Sequence, residues 1–203
     1  MIIGCYGSQG SGKTLFLVRC AKIYSDRGKD VYSNFHLNFP HKILNFHDVV
    51  DCTLSDAIVI IDEAQLWGLD SRSAFSKTNK HITKKFLLQC RKMNVLLLFS
   101  SQRMRQIDVR CRENTCYVCW CRKLVWNGLV WIDAIQSKNY PVNIPQKIAI
   151  NCINMDNAKQ KKFSFVGNKY FDMYDTSEIV QMQEIEDEEK KEKKDPKDNE
   201  EKT

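Results

Sequence analysis

Residues 7–14 read Gly7-Ser8-Gln9-Gly10-Ser11-Gly12-Lys13-Thr14 and fill every fixed position of G-x-x-x-x-G-K-[ST]. Before them, Ile2 to Tyr6 is a short apolar run, which predicts a buried strand. After them, Leu15, Phe16, Val18, Ala21, Ile23 and Tyr24 recur at helical spacing over residues 13–26, and Gly28 stops the run. A strand, a glycine turn and a helix in this order form a phosphate-binding loop. Glycines let successive backbone N–H groups curl inward on phosphate oxygens, and the helix start adds partial positive charge. Lys13 is the expected partner of the β- and γ-phosphates, and the Thr14 hydroxyl the expected ligand of Mg²⁺, so ATP and magnesium are the implied cofactors.

Further strands follow. Ala57 to Ile61 is uniformly apolar and ends in Asp62-Glu63. Two-sided burial of that kind marks a central parallel strand. Carboxylates at a strand's carboxyl end sit where open α/β sheets bind ligands. Asp62 is expected to hold the metal, and Glu63 to act as general base on an attacking water. Val95 to Phe99 is another apolar strand, followed by Ser100-Ser101-Gln102, and Gln102 is expected to reach the γ-phosphate or the lytic water. Arg91, before that strand, either complements a helix C-terminus or serves as an arginine finger to a neighbouring subunit. Arg110 and Arg112 are weaker candidates for the second role.

The rest completes an α/β chain with a mostly parallel sheet. Val31 to Phe35 is a second strand, residues 68–80 a polar loop, and His81 to Met93 a helix. Thr115–Trp126 and Leu129–Ser137 form a β-hairpin closed at Asn127-Gly128. Residues 184–203 hold ten acidic residues and six lysines, too polar to order themselves, so a disordered tail is expected. Removing that tail leaves a body of net charge about +10, against +6 for the whole chain. Such a body suits a polyanion. Arg72, Lys77, Lys80, Lys84 and Lys85 are the candidate DNA contacts, with Phe75 beside them, and a solvated surface is the competing reading.

No apolar run approaches the roughly 18 residues of a membrane span, and the start lacks the charged region of a signal peptide. Nine cysteines, an odd number, read as reduced thiols of a cytosolic protein. Cys111, Cys116, Cys119 and Cys121 lie close in sequence, but strand alternation turns Cys116 away from Cys119 and Cys121, which favours buried small side chains over zinc.

The stretch Arg91-Lys92-Met93-Asn94-Val95-Leu96-Leu97-Leu98-Phe99-Ser100-Ser101-Gln102-Arg103, after Ile60-Ile61-Asp62-Glu63-Ala64-Gln65, resembles the Zot (zonular occludens toxin) domain, a relative of the FtsK/HerA-type DNA-pumping and viral packaging ATPases. Residues 106–114 are similar to the same pattern, and the likeness covers about residues 1–138. It implies a RecA-like P-loop NTPase core of the ASCE type that works on DNA as a ring, usually a hexamer. Lys13, Glu63 and Gln102 would be catalytic, and Arg91 the trans finger. Many Zot proteins continue into a membrane span and a second domain. The lack of such a segment here turns the expectation toward a viral or phage genome-packaging ATPase of the host cytoplasm or virion, with capsid or coat protein as a further partner. The expected division is a core at 1–138, an extension packed on it at 139–183, and the tail at 184–203. The rival reading is a nucleoside kinase, because Ile61-Asp62-Glu63-Ala64-Gln65-Leu66-Trp67 is similar to the signature of zinc-bearing thymidine kinases.

Overall fold

A computed structural model describes residues 1–73, 82–127, 129–138, 161–175 and 178. Lys77, Lys80, Phe75 and the acidic tail lie outside these residues, as does most of 139–183.

The described residues build one sheet of eight strands. They are β1 (Ile2–Tyr6), β2 (Asp30–Ser33), β3 (Lys42–Ile43), β4 (Ala57–Ile61), β5 (Leu96–Ser101), β6 (Tyr117–Trp126), β7 (Leu129–Lys138) and β8 (Lys161–Val166). Their spatial order is β3-β2-β4-β5-β1-β6-β7-β8. The first six in that order pair in parallel, and β7 and β8 add antiparallel ladders. The fold is α/β, a mostly parallel sheet carrying an antiparallel edge.

Both faces of the central strands are covered, which explains their continuous apolar runs. On one face, Leu15, Leu17, Val18 and Ala21 of helix α1 (Lys13–Ser25) pack on Ile58, Ile60, Leu98 and Cys119. On the other, Trp67, Ile82, Phe86 and Leu87 cover Tyr6, Val59, Ile61 and Phe99. Each fully buried side chain of this size contributes roughly 1.5–3 kcal/mol. The small helix α2 (Phe46–Val50), not foreseen from the sequence, starts with an Asn45–Asp48 capping box.

The single helix expected over 81–93 is replaced by a π-helical turn (Ile82–Phe86) and a short α-helical turn (Leu87–Gln89). The reason is packing. Ile82, Phe86 and Leu87 all reach one core cluster at 3% exposure or less, which the wider i→i+5 turn accommodates. Ahead of the loop expected over 68–80, and overlapping its first two residues, lies a π-type turn (Gln65–Leu69) kinked at Trp67 and at Gly68, which has φ 87°. The hairpin register pairs Trp126 with Leu129, and Asn127 after β6 has φ 47°. The positive φ that a two-residue turn demands is what Asn supplies.

Candidate nucleotide site

Strand order decides where the chemistry gathers. β5 lies between β4 and β1, and all three point the same way. The turn after β1, the acids after β4 and the amide after β5 therefore share one sheet edge. In the register, Tyr6 stands beside Ser101, and Ile61 beside Phe99. Gln102 is exposed on that edge, between the other two groups.

The turn is a cradle that only glycines allow at two points. Gly12 has φ 90°, and a Cβ there would strike the Ile132 side chain. Gly7 would place a Cβ 2.7 Å from the Cys121 carbonyl. Both obstacles belong to the hairpin, so β6 and β7 back the loop from behind. Lys13 is only 5% exposed, and its ammonium donates to the Ser8 carbonyl at 3.2 Å. The Ser11 hydroxyl is buried and finds no hydrogen-bond partner among the described residues. A buried, unmatched hydroxyl beside a buried ammonium is what an incoming phosphate oxygen satisfies.

The acid pair is held from three sides. Thr14 Oγ1 donates to Asp62 Oδ2 at 2.8 Å, and the Ser100 hydroxyl donates to Asp62 Oδ1. Asn34 clips the Asp62 backbone in both directions: its carbonyl accepts from Asp62 N–H at 2.8 Å, and its amide donates to Asp62 O at 3.0 Å. Burial pushes the Asp62 carboxyl above the ordinary aspartate value and Glu63 adds to this, while the Ser100 and Thr14 donors and Lys13 oppose it. Glu63 has φ 45°, a left-handed backbone that costs about 1–3 kcal/mol in a residue with a side chain and persists where its surroundings enforce it. Here Ser100 Oγ accepts from Glu63 N–H at 3.1 Å, and the Gln65 amide donates to the Glu63 carboxylate. Thr14 and Asp62, an oxygen pair already in contact, fit the ligand preferences of Mg²⁺.

Three residues near this centre escape a reading of the sequence. Asn34 follows β2 and Ser100 lies in β5, and only the sheet register reveals them. Tyr174, on the far C-terminal side, has its phenol pushed up to about 12 by burial and then by the Asp62 charge.

Other candidates lie elsewhere. Arg91 is exposed in the turn before β5, at the opposite edge of the sheet, about 20 Å from the phosphate loop by strand rise. Within one subunit it cannot serve its own site. Arg110 pairs with Asp108 at 2.9 Å, and Arg112 Nε donates to the Ile107 carbonyl at 3.0 Å. Arg72 is exposed and pairs with Asp70 at 3.3 Å, Lys85 is exposed, and Lys84 lies in the Ile82–Phe86 turn. The cysteines do not converge. Cys119 and Cys121 are buried on the α1 face, Cys111 is buried on the other face, and Cys116 is exposed.

No protein-family model and no curated protein matches the chain. Among solved structures, the N-terminal domain of zonular occludens toxin from Neisseria meningitidis aligns over 86% of this chain and 98% of its own, at 22% identity and a TM-score of 0.56. The chain has the fold of a Zot N-terminal domain. The alignment thus takes in nearly the whole Zot domain. The ATPase domain of G40P aligns over 68% of this chain and 76% of its own, with 12% identity and a TM-score of 0.49. The genome packaging NTPase B204 from Sulfolobus turreted icosahedral virus 2, bound to AMPPCP, aligns over 59% and 74%, with 15% identity and a TM-score of 0.42. No helix among the described residues of this Zot-like chain is long and apolar enough to cross a membrane.

Proposed function

We propose that this chain is an ATP-hydrolysing motor that moves DNA, working as a ring in viral or phage genome packaging. The observation that carries the reading is the Asp62 carboxylate, clasped by Thr14 of the phosphate loop and Ser100 of the neighbouring strand, with Lys13 buried alongside. Triphosphate lies in the glycine cradle, where Lys13 and the Ser11 hydroxyl meet its oxygens. Thr14 and Asp62 would hold Mg²⁺, which supplies charge neutralisation across the phosphates when bound. Glu63, oriented by Gln65, positions a water and takes its proton. Gln102 lies where the γ-phosphate would be sensed, and β5 links it to Ser100. Arg91, too far to act at home, completes the site of a neighbour in a ring, taken as a hexamer.

Residues 1–138 form the hydrolytic core, residues 139–183 an extension, and residues 184–203 a tail. Exposed Arg72 and Lys85, with Lys77, Lys80 and Lys84, face DNA without reading sequence, and a capsid or coat protein is the further partner in the host cytoplasm or virion. Against the kinase reading stand the exposure of Cys116 and the burial of its C-x-x-C partner Cys119 on the α1 face.

Phosphate release measured with and without DNA tests the proposal. We expect turnover that DNA raises, abolished by Lys13→Ala, with Glu63→Gln binding ATP but hydrolysing it about 10²–10⁴-fold more slowly. Thymidine phosphorylation in place of free phosphate would establish the kinase instead.

A further inference from the structure

The two rims of the sheet each carry a surface with no use inside the subunit. On the nucleotide rim, β6 and β7 outrun the other strands. Tyr6, the last residue of β1, pairs with Trp120, and β6 then continues for six residues to Trp126. That is a projection of about 20 Å at strand rise. Its tip is apolar on both sides. Strand alternation sends Leu124 and Trp126 one way and Val125 the other, and they are 42%, 68% and 66% exposed. Leu129, opposite Trp126 in the ladder, is 40% exposed. A strand lying on one core alternates apolar and polar residues, and here the alternation ceases just beyond Arg122 and Lys123. A tip apolar on both sides suits insertion between other side chains better than resting on a flat surface.

On the opposite rim, an open cleft of about 350 Å³ lies among the starts of β1, β4 and β5. Ala57, Val95 and Leu96 give it an apolar floor, and Arg27, Lys29 and Asp56 a charged rim. An apolar floor inside a polar rim is the anatomy of a protein interface. Clefts of roughly 300 Å³ and above hold small organic groups, so an indole and a neighbouring aliphatic side chain fit. Lys29 is paired with Asp56 across the rim, and the Arg27 guanidinium is the rim cation that suits the electron-rich face of an indole.

We propose that the hairpin tip of one subunit, led by Trp126, seats in this cleft of a second copy. Tip and socket stand on opposite rims of one molecule, so the contact is heterologous and propagates head to tail, closing into a ring when the rotation permits. Arg91 travels with the socket: its carbonyl accepts from Asn94 N–H at 3.3 Å, and Asn94 lines the cleft. The contact that fills the cleft therefore carries the second copy's Arg91 toward the nucleotide rim of the first. This rests on the ring reading above and adds to it the two surfaces that hold the ring together.

The test uses the full chain with p-benzoylphenylalanine in place of Trp126, irradiated with a non-hydrolysable ATP analogue and mapped by mass spectrometry. The expected product joins position 126 to peptides covering 24–29 or 94–97 of another copy. Adducts only between two hairpins, only to added DNA, or only to vesicle lipid overturn the proposal. So does the lack of any adduct in a sample that light scattering shows to be assembled. Trp126→Ala is expected to weaken association at least about tenfold, as for a buried aromatic anchor, with ATP binding by the monomer unchanged. A wild-type chain that binds ATP through Lys13 yet stays monomeric overturns the docking and leaves the nucleotide site standing, whereas a chain that binds no ATP overturns the nucleotide site.

Discussion

Ser100 is the residue on which both acids depend. Its hydroxyl donates to the Asp62 carboxylate and accepts from Glu63 N–H, one proton in each direction. Ser100→Ala removes both bonds at once and strands a buried N–H, which costs about 1–3 kcal/mol. The left-handed Glu63 backbone then loses one of its restraints. We expect a lower midpoint in urea unfolding and a fall in kcat larger than any rise in the KM for ATP, because the phosphate cradle is untouched. An unchanged kcat would show that the bridge does not position the acids. The sequence displays the cradle and the acid pair openly, since Gly7 to Thr14 and Asp62-Glu63 are local patterns with fixed spacing. It cannot display Ser100 or Asn34, whose roles exist only once β2, β4 and β5 are laid side by side.

At the scale of elements, the strands that are easiest to read, β1, β4 and β5, are those buried on both faces, where apolarity alone suffices. The stretch from Ile82 misleads for a physical reason: its apolar spacing suits an α-helix and a π turn about equally, and the core selects the one that buries Ile82, Phe86 and Leu87 together. β8 escapes a local reading although Phe163 and Phe165 alternate with Lys162 and Ser164, because nothing nearby says which strand they join. The hairpin depends on Asp133, buried at 4% exposure in β7. It accepts from Ser164 at 2.8 Å, Lys162 at 3.1 Å and Arg122 at 3.4 Å, tying three strands together. Burial alone would raise its pKa, but the Ser164, Lys162 and Arg122 donors outweigh this and hold it below the ordinary 3.8. A carboxyl with a depressed folded pKa stabilises the fold above the ordinary range and gives up that contribution as pH falls toward its folded value. Asp133→Asn should therefore destabilise the protein at neutral pH, with a difference from wild type that shrinks as the pH drops below about 3.8, read from urea unfolding across pH. A difference independent of pH would place the role of Asp133 in packing rather than charge.

At the scale of the whole molecule, net charge and strand direction matter most. In the proposed role, a body near +10 would bind DNA more weakly as salt rises. Replacing Arg72, Lys84 and Lys85 by Ala should flatten the plot of log affinity against log salt by about 0.9 for each duplex phosphate that is no longer neutralised. The weakening should be alike for unrelated sequences in fluorescence anisotropy, and an unaltered slope would move the DNA track elsewhere. Seven of the eight described strands run the same way and β7 alone opposes them, so the sheet has a front rim that carries the phosphate loop and a back rim that does not. Copies joined front to back, as proposed, cannot make a mirror-faced pair; where the rotation closes they make a circle whose two openings differ. A thread passed through such a circle meets entrance and exit as different doors, and reversing its travel would mean turning every polypeptide in the circle around.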